Sequence, residues 1–350
     1  MQTKKKVWLK DSWRICLDDM EKEFEIYKLL EEKKVRNIAP MVCGGDVAGQ
    51  MTITQKYAGA TWCSGKVDLL SHHHYRLVLG IIGRPLNDFK STKEMVRAVH
   101  HAFLAHWEAY SLANILHRDI SGGNILIVED GDTTRGILID WDLSKKMKVR
   151  AEAGGNWWIG TWQFVSARIL RNRFKLHEYQ DDMESFLHVL TYHSLRYRPR
   201  TLISYYSEMY DVFEASKERG AGNKVLGGKG KLHFFAYSLL QSHEFMKTLP
   251  SPLVELIREV RKPFHYFYAD RGALEEEVMF RKVAAVEQVR SAHFFFDIWE
   301  KHLASDAWPM DDKSEDQLGP PPSTSHSRGE KRKAESSIQQ AGPKARKLDQ

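Results

Sequence analysis

Apolar residues recur with strand-like and helix-like spacing in the first part of the chain. A short apolar run over 7–10 predicts a strand, and two further strands are predicted over 51–56 and 75–79. Residues 19–33 combine many charges with apolar side chains at steps of three, at Phe24, Tyr27 and Leu30. This spacing predicts an amphipathic helix with one face turned towards a core.

The pattern becomes mainly helical further along. A long helix is predicted over 92–116, where apolar residues recur at steps of three and four: Met95, Val96, Val99, Phe103 and Trp107. Two apolar, β-branched runs, 124–128 and 136–139, flank a polar turn and predict a hairpin. After residue 180 the pattern is mostly helical. Strands first and helices later are typical of a two-lobe α+β fold.

Composition divides the chain near Ala304. Before this point we predict a strand-rich N-lobe over 1–86 and a larger helical C-lobe over 87–304. Residues 305–350 are rich in Pro, Ser, Gln and charge, and have too little apolar surface to offset the entropy cost of ordering. We therefore predict that 305–350 is a disordered tail.

Two basic clusters lie in the predicted tail. Lys331-Arg332 is separated by eleven residues from Lys344-Ala345-Arg346-Lys347. An extended chain with two such clusters can occupy two acidic grooves of one receptor at once. We expect a bipartite nuclear localisation signal that binds a nuclear import receptor, in a protein that is nuclear or shuttles between nucleus and cytoplasm. A merely solvating charged tail is the alternative.

Composition excludes several other classes. The three cysteines form no paired motif, which argues against a disulfide framework or a zinc ribbon and favours a reducing compartment. No apolar run approaches the roughly 18 residues that a bilayer crossing needs, so we expect no membrane partner. The net charge of +6 lies outside the tail, which is neutral as a whole. Composition alone therefore gives little support for nucleic-acid binding, and we predict no nucleic-acid partner.

The stretch from His117 to Leu126 carries the clearest chemistry. Asp119 and Asn124 stand five residues apart between a predicted helix and a predicted strand, and Asp140 follows the next strand. Phosphoryl transfer needs a carboxylate to orient the attacking hydroxyl and oxygen ligands for a magnesium ion. One loop with Asp119 and Asn124, together with Asp140, can supply both functions.

An ordered set of motifs resembles the fungal-type protein kinase family, within the protein-kinase-like fold. The motifs are His117-Arg118-Asp119-Ile120-Ser121-Gly122-Gly123-Asn124, Ile139-Asp140-Trp141-Asp142, Gly160-Thr161-Trp162-Gln163-Phe164-Val165-Ser166-Ala167-Arg168 and Asp181-Asp182-Met183-Glu184-Ser185-Phe186. The resemblance implies ATP as phosphate donor and Mg²⁺ as cofactor.

The resemblance also implies a role for single residues. Asp119 corresponds to the catalytic base, and Asn124 and Asp140 correspond to the metal ligands. Lys10 corresponds to the phosphate-binding lysine, and helix register favours Glu23 as its ion-pair partner. Two further residues take part: Thr161 would contact Asp119 beside the accepting alcohol, and Asp182 would hold the catalytic loop through its backbone.

Four departures from the family pattern stand out. Ser121 replaces a lysine that commonly neutralises the transferring phosphate, and Asp142 replaces a glycine. Arg168 replaces a glutamate, so any corresponding ion pair has reversed polarity. No glycine-rich phosphate loop precedes Lys10, because only nine residues do and such a hairpin needs roughly fifteen. The expected N-lobe is therefore partial.

The resulting prediction is an ATP- and Mg²⁺-dependent Ser/Thr protein kinase that acts on a protein substrate. Thr161 favours Ser/Thr over Tyr acceptors. One alternative is a pseudokinase that serves as a binding scaffold, suggested by Ser121 and the missing loop. The other is a small-molecule phosphotransferase, against which Arg118 and the Gly160-Thr161 segment count.

Three further segments receive no catalytic role. The tract His72-His73-His74 lacks metal-ligand partners at suitable spacing and predicts a loop. The glycine cluster over 220–230 does not fit a phosphate-binding loop and predicts a flexible connection. Residues 145–160 contain no hydroxyl side chain, so we expect no activating phosphorylation there; Glu152 is the acidic candidate to neutralise Arg118.

Overall fold

The computed structural model describes residues 6–16, 21–62, 69–147, 160–172, 174–198, 209–215, 218–220, 224–236, 248–269 and 276–318. The two basic clusters of the predicted tail lie outside the described residues. So does Glu152, the predicted acidic partner of Arg118.

A three-stranded antiparallel sheet and one helix form the N-terminal part. Strands β1 (Trp8–Ile15), β2 (Met41–Met51) and β3 (His72–Leu79) lie in the order β1-β3-β2. Lys10 is paired with the fully buried Leu77, so both side chains lie on the inner face of the sheet. Helix α1 (Glu23–Glu32) buries its predicted apolar face through Ile26, Tyr27 and Leu30.

Two predictions about this sheet are wrong. The strand predicted over 51–56 is instead β2, which ends at Met51, and residues Thr54–Tyr57 form a 3₁₀ turn. The tract His72-His73-His74 opens β3 rather than forming a loop. His74 is buried between Gln50 and Asp11, each 2.5 Å from one of its ring nitrogens, and these polar contacts satisfy the imidazole inside a sheet.

A long helix and a hairpin connect the two parts of the fold. Helix α2 (Thr92–Ala113) begins at Ser91, whose hydroxyl accepts a hydrogen bond from the amide of Glu94, and ends at Asn114 in the left-handed region. Strands β6 (Ile125–Asp130) and β7 (Thr133–Leu138) form the predicted hairpin against α2. The short strands that flank them are β4 (Arg84–Pro85), β5 (Ile115–Leu116) and β8 (Lys145–Lys146).

The C-terminal part is helical. Its helices are α3 (Ala167–Arg171), α4 (Tyr179–Arg196), α5 (Lys229–Ala236), α6 (Ser251–Tyr268), α7 (Glu276–Gln288) and α8 (Ala292–Leu303). A π-helical turn spans Tyr210–Glu214, and a short hairpin joins β9 (Glu218–Gly220) to β10 (Lys224–Leu226). Aromatic side chains fill the core, where Phe103 contacts Phe186 and Phe296 at ring-centroid distances of 5.6 and 4.8 Å.

The order of strands before helices confirms the predicted α+β class with a small strand-rich N-terminal part. Within the part of the chain that the structure describes, no helix has both the length and the apolar character to cross a membrane.

The folded unit extends beyond the predicted boundary at 304. Residues 305–317 pack on the helical part as a strap, and the compact unit continues to Gln317. Asp312 accepts hydrogen bonds of 2.7 and 2.6 Å from the amide and hydroxyl of Thr92, and Asp316 accepts two from Arg196. Lys313 Nζ lies 4.6 Å from the ring centroid of Tyr197. The folded unit therefore ends later in the chain than the predicted boundary at residue 304.

The glycine cluster is also packed more closely than predicted. A Cβ atom at Gly227 would lie 2.5 Å from the indole ring of Trp162, and one at Gly228 would lie 2.9 Å from the carbonyl oxygen of Ala167. Glycine is needed at Gly227 because only a residue without a side chain allows this approach. This part of the cluster is an ordered contact rather than a flexible connection.

Candidate active site

Four charged residues from three distant parts of the chain meet at the N-terminal sheet. Lys10 Nζ lies 2.7 Å from Glu23 Oε2 and 2.6 Å from Asp140 Oδ1, and Asp142 Oδ2 lies 3.9 Å away. Lys10 belongs to β1, Glu23 begins α1, and Asp140 follows β7. The fold thus brings together the three residues that the sequence pointed to for phosphate and metal binding.

Helix register explains why Glu23 takes this place. Glu23 lies on the same face of α1 as Ile26, Tyr27 and Leu30 and is 1% exposed, whereas Glu25 is exposed. Its second carboxylate oxygen accepts a hydrogen bond of 3.0 Å from the amide of Trp141. Glu23 therefore fixes both Lys10 and the backbone that follows Asp140.

Burial and charge act in opposite directions on this cluster. Burial raises the pKa of Glu23 to about 7, although Lys10 partly opposes the shift. Burial lowers the pKa of Lys10, but the attraction of Glu23, Asp140 and Asp142 is stronger and leaves it above its ordinary value. Lys10 is therefore a permanent cation at neutral pH.

Asp119, Asn124 and Thr161 form a second cluster. The Asp119 carboxylate accepts hydrogen bonds from the amide and the hydroxyl of Thr161, at 2.8 and 2.7 Å to Oδ1. The Asn124 side-chain amide donates to the backbone oxygen of Asp119 at 2.8 Å and to Oδ2 at 3.1 Å. Thr161 thus holds one carboxylate oxygen of Asp119 and Asn124 holds the other, with the carboxylate as acceptor in each contact.

His117 supports this loop from below. It is fully buried, its Nε2 donates to the carbonyl oxygen of Ile139 at 3.0 Å, and its Nδ1 accepts from the amide of Asp119 at 3.3 Å. Burial lowers the pKa of His117, which keeps the imidazole neutral and suits this combination of donor and acceptor. His117 thereby links the Asp119 loop to the strand that leads into Asp140.

Asp182 holds the same loop from α4. Its Oδ2 accepts a hydrogen bond of 3.2 Å from the amide of Arg118, which confirms the predicted contact with the loop backbone. His106 and His177 each lie 2.7 Å from one carboxylate oxygen of Asp182. Burial raises the pKa of Asp182, but the two histidines outweigh this effect and hold it well below its usual range.

Sequence reasoning missed both histidines. His106 falls on the buried stripe of α2, three positions after Phe103, and that periodicity was the available signal. His177 precedes α4 in an irregular segment and offers no local signal. The contact between His106 and Asp182 spans 76 positions, whereas that between His177 and Asp182 spans only five.

Backbone conformation is unusual in the same two loops, as it is at four other described residues: Lys34, Asn37, Asn114 and Asp311. Arg118 and Asp140 adopt φ values of 70° and 64°, in the left-handed region that non-glycine residues seldom occupy. Each such residue costs of order 1 kcal/mol or more and persists where its surroundings fix it. Here Asp182 accepts the amide of Arg118, and Glu23 accepts the amide that follows Asp140. These contacts hold the strained backbone in place and so set the positions of Asp119 and Asp140.

Oxygen donors at this site suit magnesium. The side-chain NH₂ of Asn124 is turned to Asp119, which leaves its amide oxygen as a ligand, and the backbone oxygen of Asn124 accepts the amide of Ile139 at 2.9 Å beside Asp140. Among the described residues, no group of three or more His, Cys, Asp or Glu could form a metal cage. Magnesium typically binds through one or two protein ligands and substrate phosphates, so Asn124 and Asp140 fit this ion.

The segment that carries Thr161 approaches the catalytic loop closely. At Gly160, with φ +117°, a Cβ atom would lie 3.0 Å from the carbonyl oxygen of Arg118.

Arg168 places its guanidinium 5.0 Å from the ring centroid of Phe267. Between residues that the structure describes, Arg168 forms no ion pair, so the reversed pair considered from the sequence does not form there.

Residues 1–194 match the family model described as fungal protein kinase, and this range includes every candidate site residue. Among solved structures, the kinase PK-1 of Cydia pomonella granulovirus is similar to the chain with a TM-score of 0.44 and 15% sequence identity. That similarity covers 74% of this chain and 79% of the viral chain. No functionally curated protein matches the sequence.

Proposed function

The chain belongs to the fungal protein kinase family, and on that premise we propose that it is an ATP- and Mg²⁺-dependent kinase of Ser/Thr residues in proteins. The observation that carries the proposal is the contact of Lys10 with both Glu23 and Asp140, since Lys10 and Asp140 lie 130 positions apart in the sequence. A fixed cation beside a metal-binding carboxylate is the arrangement that binding of nucleotide phosphates requires.

The proposed reaction assigns one task to each cluster. The oxygen of a substrate hydroxyl attacks the γ-phosphorus of ATP, the bond from that phosphorus to the bridging oxygen breaks, and ADP leaves. Asp119 orients the hydroxyl and accepts its proton, while Lys10 binds phosphate oxygens. Asn124 and Asp140 would hold magnesium, which supplies positive charge to the phosphates when bound.

Thr161 supports the preference for Ser/Thr. Its hydroxyl and amide both contact the Asp119 oxygen that would face an accepting alcohol. The accepting hydroxyl must come within about 3 Å of this carboxylate, and the support for Ser or Thr acceptors is the family-like Gly160-Thr161 pair beside it. Ser121 is buried at the position that often carries a lysine, so Lys10 and magnesium would have to supply the positive charge.

The proposal is tested by incubating the purified chain with γ-labelled ATP and peptide pools in which Ser, Thr or Tyr is the sole acceptor. We expect label on the Ser or Thr pools, dependent on added magnesium and abolished by chelation. Label only on Tyr would refute the acceptor assignment. Label only on an added pool of amino sugars would support a small-molecule phosphotransferase, and ATP binding without any transfer would support a pseudokinase.

The basic clusters at the end of the chain support a second proposal, that a nuclear import receptor binds residues 326–350. Seven bases and three acids fall in this range, with the bases gathered in two clusters. Linked clusters gain affinity for a two-site acidic groove without any further contact. The proposed location is therefore the nucleus, or both nucleus and cytoplasm.

A further inference from the structure

A buried lysine lies directly beneath the segment that carries Thr161. Lys231 on α5 is 0% exposed, whereas Lys229, two positions earlier on the same helix, is exposed. Lys231 Nζ donates hydrogen bonds to two backbone carbonyl oxygens, that of Trp162 at 3.2 Å and that of Val165. Lysine is rarely fully buried, so this side chain requires an explanation.

Both carbonyl groups belong to the tight turn that begins at Thr161. The amides of Phe164 and Val165 donate to the carbonyl oxygen of Thr161 at 2.9 and 3.1 Å, which closes the turn. The amide and the hydroxyl of Thr161 both donate hydrogen bonds to the carboxylate of Asp119. A displacement of the turn would therefore move Thr161 relative to the catalytic carboxylate.

Other groups of the helical part fix the end of the same segment. Glu184, which is 1% exposed, accepts a hydrogen bond of 2.7 Å from the amide of Ala167, and Asp181 accepts one of 2.6 Å from the hydroxyl of Ser166. Gln163 donates to Glu214 at 3.1 Å. These contacts hold the side chains of Gln163 and Ser166 and the first amide of α3. Lys231 differs from them because it binds carbonyl oxygens of the turn itself.

Burying an ammonium group is costly even with two acceptors. Burial lowers the pKa of Lys231 to about 7, and burial also raises the pKa of the nearby Glu184 to about 7. An apolar side chain of similar length would avoid the desolvation cost. The two hydrogen bonds to the carbonyl oxygens of the turn are what an apolar side chain could not supply.

The structure points to Lys231 as a positioning residue: we propose that its hydrogen bonds to Trp162 and Val165 hold the turn so that Thr161 stays on Asp119. This proposal rests on the proposed kinase function for its catalytic consequence, but not for the anchoring itself. Arg168, for which the sequence indicated only that any ion pair would have reversed polarity, lies against Phe267.

Amide hydrogen exchange of the full chain tests the anchoring directly. Lys231→Met keeps the length of the side chain and removes its donors, and Lys229→Met is the matched control on the same helix. We expect the amides of 161–165 to exchange about tenfold faster or more in Lys231→Met, with other helical amides unchanged. Unchanged exchange over 161–165, or equally faster exchange throughout the domain, would overturn the proposal.

Lys231→Gln keeps the test decisive if the methionine variant does not fold. Glutamine retains an N–H donor without the charge. We therefore expect the amides of 161–165 in Lys231→Gln to exchange faster than in the wild type and in Lys229→Met, but more slowly than in a turn that has lost its anchor. Exchange in Lys231→Gln that is faster across all helices to the same degree would assign Lys231 a purely structural role.

A kinetic measurement separates this proposal from the proposed function. In Lys231→Met we expect kcat for phosphoryl transfer to fall roughly 10- to 100-fold with KM for ATP unchanged, because Lys10 and Asp140 lie outside the turn. A raised KM for ATP with unchanged kcat would contradict the positioning role. If the wild-type chain transfers no phosphate, the kinase proposal fails, and the exchange experiment still decides whether Lys231 anchors the turn.

Discussion

At the scale of single residues, Glu23 combines near-complete burial with a lysine partner. Its carboxylate has contacts with Lys10 and with the amide of Trp141, yet burial still raises its pKa from 4.5 to about 7. In this pH range the folded chain binds more protons at Glu23 than the unfolded chain does. The stability that Glu23 contributes is therefore complete below about pH 4.5 and is lost as pH rises through about 7.

Glu23→Gln should remove this pH dependence. Relative to the variant, the wild-type chain should lose roughly 3 kcal/mol of unfolding free energy between pH 4.5 and pH 8, from about 1.4 kcal/mol per pKa unit. Urea unfolding of both proteins at several pH values measures the difference. A difference that stays constant over this range would contradict the assignment of burial as the dominant effect on Glu23.

Much of the site could be predicted from residues whose role is local. Asp119, Asn124 and Asp140 stand at fixed spacings in one loop and one strand end, and Glu23 follows from the register of α1. The partners of these residues were harder to find. Lys231 lies in a glycine-containing segment that hides its contacts, because nothing in the neighbouring sequence indicates two backbone carbonyls from 66 and 69 positions away.

At the scale of elements, Asp182 joins α4, α2 and the catalytic loop. It is fully buried and accepts hydrogen bonds from His106, His177 and the amide of Arg118. His106 belongs to α2, Arg118 to the loop that carries Asp119, and His177 to the residues just before α4. The carboxylate therefore sets where the loop with Asp119 rests on the helical part.

Asp182→Ala should destabilise the fold strongly, since it leaves the buried imidazole of His106, the partly buried imidazole of His177 and one amide without their acceptor. We expect a loss of roughly 3–5 kcal/mol in the free energy of unfolding. Asp182→Asn, which keeps one acceptor oxygen, should lose less, and the exposed Asp132→Ala should lose almost nothing. Urea unfolding of the three variants tests this order, and an Asp182→Ala protein as stable as Asp132→Ala would refute it.

Elements with regular spacing followed from the sequence, and elements stabilised by distant partners did not. The stripe of Met95, Val99 and Phe103 predicted α2 to within a few residues at its end. Strand β2 was missed because Gly44, Gly45 and Gly49 interrupt its apolar pattern. The backbone of β2 is held by pairing with β3, and the side-chain pattern of β2 does not indicate this pairing.

At the scale of the whole molecule, the strap over 305–317 ties the end of the folded unit to two helices. Asp312 caps the start of α2 through Thr92, and Asp316 forms a two-bond ion pair with Arg196 at the end of α4. Low apolar content suggested disorder for this segment, but charged contacts across 220 and 120 positions hold it in place. Composition does not report contacts of this kind.

Shortening the chain tests the strap. A chain that ends at residue 304 should be less stable than the full chain by roughly 3 kcal/mol, because a helix cap and a two-bond Arg–Asp pair are both lost. A chain that ends at residue 318 keeps these contacts and serves as the control. Equal unfolding free energies for the two shortened chains would show that the strap contributes nothing to stability.

The proposed import signal belongs to the same scale. Residues 326–350 fused to a fluorescent reporter should concentrate the reporter in the nucleus, and replacement of Lys344, Arg346 and Lys347 by alanine should disperse it. The matched control is the same 326–350 fusion with Ser336, Ser337 and Gln339 replaced by alanine, which leaves both basic clusters intact. A uniformly distributed reporter with the intact segment would refute the proposed receptor binding.

The account of the site depends on phosphoryl transfer at Asp119. Asp119→Asn keeps the size of the side chain but removes the carboxylate that would accept the proton, while Asp132→Asn changes an exposed aspartate of the β6–β7 turn. The decisive measurement is the rate of magnesium-dependent γ-phosphate transfer from ATP by the wild-type chain and both variants, at equal ATP occupancy. We predict a rate roughly 100- to 10,000-fold lower for Asp119→Asn and an unchanged rate for Asp132→Asn. Undiminished transfer by folded Asp119→Asn would contradict the account.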